Sequence, residues 1–316
     1  MISSILLVAL GFGIFALIIT AALSPLETLS WWAGWTEAEL EDPSPEHRNT
    51  TDTNAGTVSH TQQYVVYLSG VASLSGNFLL PREHSFIRKL RKSAPHAVVI
   101  SDVFPYSPQG LPLLESPRLF DRTWRRVQKL KLDGRESILS ALINLRNIFQ
   151  VMVSADHRYG PIFNQGAASV IEHALLKAGY PLGSGAPITI IGYSGGAQVA
   201  LGATSFLAAR FKATISVISL GGVIASDPGL QYVSKLHHIV GDGDKIQKLG
   251  AIIFPERWAI VPHSNWNIAK HDERIKQYTL SDMVHAGVNG YFGRPERNGI
   301  SNAERLVKLI NKILNE

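Results

Sequence analysis

Short, continuously apolar runs alternate with helical patterns from residue 64 to the end of the chain. The strands predicted from these runs are 64–70, 96–104, 187–194, 213–222, 236–244 and 275–282. Apolar strands that lack a polar face are typical of a parallel sheet buried between two layers of helices. The pattern therefore predicts an α/β fold in which a mostly parallel sheet is covered by helices on both faces.

Helical patterns fill the intervals between these runs. They cover residues 82–92, 116–132, 136–153, 165–178, 196–211 and 302–314. Ligands of parallel sheets bind beyond the carboxyl ends of the strands. Functional side chains are therefore expected directly after each predicted strand.

The strand predicted at 187–194 ends in Gly192-Tyr193-Ser194-Gly195-Gly196, the chain's only G-x-S-x-G sequence. A sharp turn from strand to helix would hold the serine in a strained conformation, and the glycines would leave room for neighbouring backbone. The following helix would direct the backbone N–H of Gly195 at a developing negative charge. The pattern favours Ser194 as a nucleophile over a purely structural turn.

A serine nucleophile needs a base that is oriented by a third group. The run 236–244 ends in two carboxylates, Asp242 and Asp244. Asp244 is the preferred acid because it lies past the turn rather than inside it, and Asp242 is the alternative. The competing interpretation is that both carboxylates cap a turn.

Three histidines further along the chain are candidates for the base. His285 directly follows the last predicted strand and is preferred, with His263 as the alternative. His271 lies in a charged stretch and is expected to be solvated. His237 and His238 fall within a predicted strand, so they are expected to be packing residues.

The order Ser194, Asp244, His285 resembles that of the α/β-hydrolase superfamily, in which serine, acid and histidine follow one another along the chain. The resemblance covers about residues 62–297, and GYSGG is its most specific element, with GDGD and VHAGVNGYFG in support. It implies a second oxyanion donor in the loop after an early strand. That loop is LSGVAS here, so the N–H of Gly70 or Val71 is expected to serve. It lacks the HG or HGGG sequence common in the superfamily, which leaves the subfamily open.

An uncharged run of 22 residues, 2–23, opens the chain. At about 1.5 Å per residue, a helix of this length reaches across the roughly 30 Å core of a bilayer. Three tryptophans follow, as expected for rings in the headgroup zone: Trp31, Trp32 and Trp35. We expect a single-pass N-terminal transmembrane anchor over 1–36. A cleaved signal peptide is the alternative, but no Lys or Arg precedes the run.

The first basic residue after this run is Arg48, which weakly favours an extracytoplasmic position for the rest of the chain. Residues 37–62 are polar and are interpreted as a linker, and 63–316 as one hydrolase domain. A helical insertion is predicted at about 104–165. It includes a basic amphipathic pattern at 116–132, which would suit an anionic membrane surface or a lid, although an ordinary solvated helix is the alternative.

Composition narrows the classes of function. The chain contains no cysteine, which excludes disulfides and cysteine nucleophiles. Its net charge of +5 is a mild excess, and it has no zinc-ligand spacing or long Lys/Arg tract, so nucleic acid is not an expected partner.

These patterns predict a membrane-anchored serine hydrolase that cleaves an acyl ester, with a lipid ester as one candidate. The predicted reaction requires no metal or cofactor. A membrane-tethered binding or scaffold protein without turnover is the alternative. Acyl transfer to an acceptor other than water would use the same residues.

Overall fold

The computed structural model describes residues 62–73, 79–107, 138–293, 296–297 and 299–316, together with positions 11, 15 and 19. The predicted anchor at 1–36, nearly all of the linker at 37–62 and the basic pattern at 116–132 lie outside the described residues. Within the described part of the chain, no helix has both the length and the apolar content needed to cross a membrane.

Six parallel strands form the central sheet of the described residues. They are β1 (Gln63–Leu68), β2 (Ala97–Val103), β3 (Ile188–Tyr193), β4 (Ile215–Leu220), β5 (Lys235–Gly241) and β6 (Ile275–Leu280). Each of the six runs predicted from sequence overlaps one of them, and β1 and β5 begin one residue before their predicted runs. Their order across the sheet is β2-β1-β3-β4-β5-β6, so the chain moves one way from β1 to β2 and the other way from β3 onward. Parallel sheets bind ligands where the strand order reverses in this way, which here is between β1 and β3.

Seven helices are described. They are α1 (Pro81–Ser93), α2 (Ile138–Ala155), α3 (Gly160–Lys177), α4 (Gly195–Phe211), α5 (Leu249–Ile253), α6 (Asn265–His271) and α7 (Asn302–Leu314). Short 3-10 turns at Pro228–Gln231 and Pro255–Arg257, and a small hairpin of β7 (Glu296–Arg297) and β8 (Ile300–Ser301), complete the elements. The pattern at 165–178 missed the start of α3, which begins at Gly160 because Pro161 is well tolerated in a first helical turn.

Both faces of the sheet are buried. Tyr64, Val66 and Leu68 of β1 pack into one apolar cluster with α2, α3 and α4, whereas Val65 and Tyr67 pack into the other with α1 and α7. This alternation follows from the two-residue period of a strand. The predicted helix-covered parallel sheet is therefore present, and it brings the ends of β1 and β3 to one edge.

Candidate active site

The turn between β3 and α4 holds Ser194 in a backbone conformation that few side chains adopt, with φ of 53° and ψ of −121°. Such strain costs of order 1–3 kcal/mol and persists only where the surrounding fold imposes it. A Cβ on Gly192 would lie 2.4 Å from the Cα of Ala197, and one on Gly196 would lie 2.6 Å from the carbonyl oxygen of Ser69. Both glycines are thus required by close backbone approach, as the G-x-S-x-G pattern predicted.

His285 lies between Ser194 and Asp244. Its Nε2 is 2.9 Å from the Ser194 Oγ, and its Nδ1 is 2.9 Å from the Asp244 Oδ2. The three side chains come from loops that follow β3, β5 and β6, which end at the same edge of the sheet. The structure therefore brings the preferred serine, acid and histidine into one hydrogen-bonded line.

Asp244 is fully buried and is held by several donors. The Tyr291 hydroxyl donates to its Oδ2 over 2.8 Å, while the backbone N–H groups of Ile246 and Gln247 donate to its Oδ1 over 2.8 and 3.2 Å. Burial alone would raise the pKa of Asp244, but the hydrogen bonds and the charge of His285 outweigh burial and leave this pKa below its ordinary value. Asp244 is therefore a carboxylate at neutral pH, with one oxygen directed at the imidazole.

Tyr291 was missed as a site residue by the sequence analysis. Its hydroxyl accepts a hydrogen bond from the Gly241 N–H over 2.7 Å and donates to Asp244, so it links the end of β5 to the acid. The signal was its place in VHAGVNGYFG, six residues after His285.

The alternative acid and base lie elsewhere. Asp242 is exposed, and its Oδ1 accepts a hydrogen bond from the next backbone N–H. His263 is exposed in the turn that precedes α6, and His271 is exposed beside Asp272. The structure leaves these side chains outside the Ser194 cluster because their own loops keep them at the surface.

His237 and His238 are buried within β5, as predicted for packing residues. The His237 ring bonds to the Tyr278 hydroxyl and the His238 ring to the Ser219 hydroxyl. Burial lowers the pKa of each to about 4, so both are neutral at pH 7.

The loop after β1 lies beside the Ser194 turn. A Cβ on Gly70 would be 3.5 Å from the Cβ of Ser194, and one on Gly195 would be 2.8 Å from the Cγ1 of Val71. Gly195 opens α4, and the N–H groups of a first helical turn have no partner within the helix. The Gly70 N–H is hydrogen-bonded to the Glu83 carboxyl. Of the two loop residues considered from sequence, Val71 is therefore the better candidate for a second donor.

Buried polar residues of α2 clamp this loop. The Asn147 side chain donates to the carbonyl oxygens of Val71 and Ser73 over 2.7 and 2.9 Å, and Arg146 donates to the Asn147 Oδ1. The Tyr106 hydroxyl donates to the carbonyl oxygen of Ser69 over 2.7 Å. Sequence reasoning missed these residues. The only signal of Arg146 and Asn147 was their polarity in an otherwise apolar helical pattern.

Glu83 lies behind the same loop, almost fully buried on α1. Burial raises the pKa of its carboxyl to about 7 from a usual value of 4.5, and hydrogen bonds from the backbone N–H groups of Leu80 and Gly70 limit the rise. The folded chain therefore binds a proton at Glu83 at pH values where the unfolded chain does not. The stabilisation that comes from protonated Glu83 is therefore present below about pH 4.5 and is lost as the pH rises through about 7.

Replacing Glu83 with Gln should remove this dependence on pH. Wild type and the E83Q variant should unfold at similar urea concentrations near pH 4.5, where the carboxyl is protonated. From there to about pH 7, the wild type should lose about 3 kcal/mol of unfolding free energy relative to the variant. Urea titrations across this range measure the difference, to which the buried histidines contribute equally in both proteins. A constant difference would contradict the assignment.

Comparisons with known proteins add little. No protein-family model matches the chain, and no curated protein gives a significant match. One similar solved structure is an esterase/lipase from an uncultured bacterium, with 11% identity and a TM-score of 0.40 over 80% of this chain and 76% of that chain. Another is an arylesterase, with 12% identity and a TM-score of 0.37 over 80% of this chain and 73% of that chain.

Similarity at this level carries no information about activity. The architecture itself is consistent with an α/β-hydrolase fold. It combines this strand order with a strained turn at Ser194 and helices on both faces of the sheet. In such a fold the turn after β3 and the loop after β1 meet at the reversal of strand order, which is where the Ser194 cluster lies.

Proposed function

We propose that this chain is a serine hydrolase that cleaves an acyl ester through Ser194, His285 and Asp244. The observation that carries the proposal is the position of His285, 2.9 Å from both the serine hydroxyl and the buried carboxylate. This arrangement couples a nucleophile to a base and the base to an orienting acid. The strained backbone of Ser194 adds support, because strain of this kind concentrates at functional sites.

In the first half of the reaction, the Ser194 Oγ attacks the ester carbonyl carbon while His285 Nε2 takes the hydroxyl proton. The Asp244 carboxylate keeps the proton on Nδ1 and stabilises the imidazolium. The carbonyl oxygen becomes an oxyanion that the N–H groups of Gly195 and Val71 would bind. Collapse of this intermediate breaks the ester C–O bond, and His285 gives its proton to the leaving alkoxide.

In the second half, a water molecule attacks the acyl-enzyme. His285 accepts a proton from the water, and a second oxyanion forms at the same N–H groups. When that intermediate collapses, the bond to Oγ breaks, His285 returns the proton to Ser194 and the carboxylic acid leaves. Apart from the ester and the attacking water, every reacting group in these steps belongs to the chain. Oxyanion donors of this type each contribute about 10²–10³ in kcat.

The finer assignments of substrate and location rest on the sequence. The uncharged run at 2–23 supports a single-pass membrane protein. The lack of Lys and Arg between this run and Arg48 weakly favours a domain that faces away from the cytoplasm, and a lipid-derived acyl ester fits that setting. A small soluble acyl ester fits the same chemistry.

Labelling with a fluorophosphonate probe tests the proposal. The probe reacts with a serine that a neighbouring base has activated, so the folded wild-type chain should be labelled, and fragmentation of the peptide 178–210 should place the adduct on Ser194. The His263→Ala variant should label at the wild-type rate, because His263 lies away from the cluster. Heat-unfolded protein supplies the background.

Folded wild-type protein that stays unlabelled would overturn the hydrolase proposal and favour the tethered binding protein. Labelling on another serine would overturn the assignment to Ser194.

A further inference from the structure

Large apolar side chains are exposed along the segment that follows the acid of the cluster. Among them Ile252 and Ile260 have exposed fractions of 66% and 79%. We call this set the apolar ridge: Ile246, Leu249, Ile252, Ile253, Trp258 and Ile260. A concentration of exposed apolar side chains is unusual on a soluble surface and marks a contact with protein or lipid.

Local structure holds the apolar ridge together. Residues 246–253 run as consecutive helical turns through backbone bonds from Leu249 to Ile246 and from Phe254 to Gly250. The Trp258 indole N–H donates to the carbonyl oxygen of Ala251 over 2.6 Å, which brings its ring against α5. The backbone beneath the apolar ridge is therefore ordered, and Trp258 is tied to α5.

The exposed charges in the first part of the apolar ridge are positive. Residues 245–255 contain two exposed lysines, Lys245 and Lys248, and no carboxylate. Glu256, the next acidic residue, pairs with His157 over 2.8 Å. An anionic surface complements Lys245 and Lys248.

The apolar ridge is joined to the candidate active site. Asp244 Oδ1 accepts hydrogen bonds from the backbone N–H groups of Ile246 and Gln247, so the first ridge residue lies two positions from the acid. A surface that covered the ridge would lie beside the edge of the sheet where His285 and Ser194 meet.

We propose that the apolar ridge docks on an anionic lipid surface. Its isoleucines and leucine enter the boundary of the acyl chains, the Trp258 ring lies among the headgroups, and Lys245 and Lys248 contact lipid phosphates. The predicted anchor at 1–36 would keep the domain close enough for this contact. Docking does not depend on hydrolysis. Only the supply of ester from that surface rests on the proposed function.

Single-cysteine labelling of the full chain tests docking cleanly because the natural sequence has no cysteine. The Ile252→Cys variant carries an environment-sensitive fluorophore on the ridge. The Lys177→Cys variant carries it at the exposed end of α3, beside Gly179, which the start of β1 contacts at the opposite edge of the sheet. Each labelled variant is incorporated into two kinds of vesicle, one of pure phosphatidylcholine and one of equimolar phosphatidylcholine and phosphatidylglycerol. Both kinds of vesicle contain a lipid whose headgroup carries a quencher.

In the anionic vesicles, quenching at position 252 should exceed quenching at position 177 severalfold. It should weaken in pure phosphatidylcholine and in high salt. Reversing both lysine charges, K245E with K248E, should lower it in the I252C background. Equal quenching at the two positions would overturn the proposal. So would a spectral change at position 252 that depends on protein concentration without lipid, which would indicate a second copy.

Fluorophosphonate labelling of the same samples separates the two proposals. Ridge quenching without Ser194 labelling would leave docking in place and overturn the hydrolase. Ser194 labelling with equal quenching at positions 252 and 177 would overturn docking and leave the hydrolase proposal in place.

Discussion

The Ser194→Ala variant is expected to fold normally and to lose about a million-fold in kcat. The substitution removes the attacking oxygen but keeps a Cβ in the strained turn, so the glycines on either side and the buried core stay as they are. The remaining rate would come from direct attack by bound water, which the oxyanion donors still assist when the Ser194 hydroxyl is absent. Hydrolysis of p-nitrophenyl esters with acyl chains of increasing length measures the loss.

Ser205→Ala is the matched control for this variant. Ser205 is half-buried on α4, the helix that follows Ser194, and lies within the same tryptic peptide. The Ser205→Ala variant should retain wild-type turnover. A Ser194→Ala protein that kept turnover within an order of magnitude of wild type would show that the hydrolysis has another origin.

The Asp244→Asn variant is expected to lower kcat by roughly 10⁴-fold at pH 7. The backbone N–H groups of Ile246 and Gln247 would hold the amide oxygen at the Oδ1 position, so the amide nitrogen would face His285. A donor there favours the imidazole tautomer with its proton on Nε2. That tautomer cannot accept a proton from Ser194, so the attack loses its base. Steady-state rates with the same esters measure the effect.

Asp242→Asn makes the same chemical change two residues earlier, at an exposed carboxylate outside the cluster. It should leave kcat close to the wild-type value. If the Asp242 variant lost activity and the Asp244 variant kept it, the acid would be misassigned and the alternative considered from sequence would be correct.

Much of the fold could be predicted because its signals are short-range. Apolar runs and helical periodicity located the six strands and five of the seven described helices, all but the short α5 and α6, since each depends on neighbouring residues alone. The start of α3 was placed too late because its first turn is built on Gly160 and Pro161 rather than on apolar periodicity. The anchor, the linker and the basic pattern at 116–132 stay predictions from sequence.

The candidate site could be predicted in part. The turn chemistry at Ser194 and the strand-end positions of Asp244 and His285 indicated the cluster. The supporting residues could not be predicted, because Asn147 and Glu83 reach the loop after β1 only through the packing of α2 and α1. Those contacts join residues far apart in the chain, and no local pattern encodes them.

The amino-acid sequence by itself determined the buried parallel sheet, the sharp turn at Ser194 and a short set of acids and bases. The tertiary structure alone decided that His285 contacts the serine and Asp244 contacts His285, whereas His263 and Asp242 lie elsewhere. It also decided that the Gly70 N–H bonds to Glu83, which leaves the Val71 N–H as the candidate donor. The physical reason is that strand order and loop path set which side chains converge at one edge of the sheet. These are properties of the whole packed chain, whereas turns and periodicity are properties of a few adjacent residues.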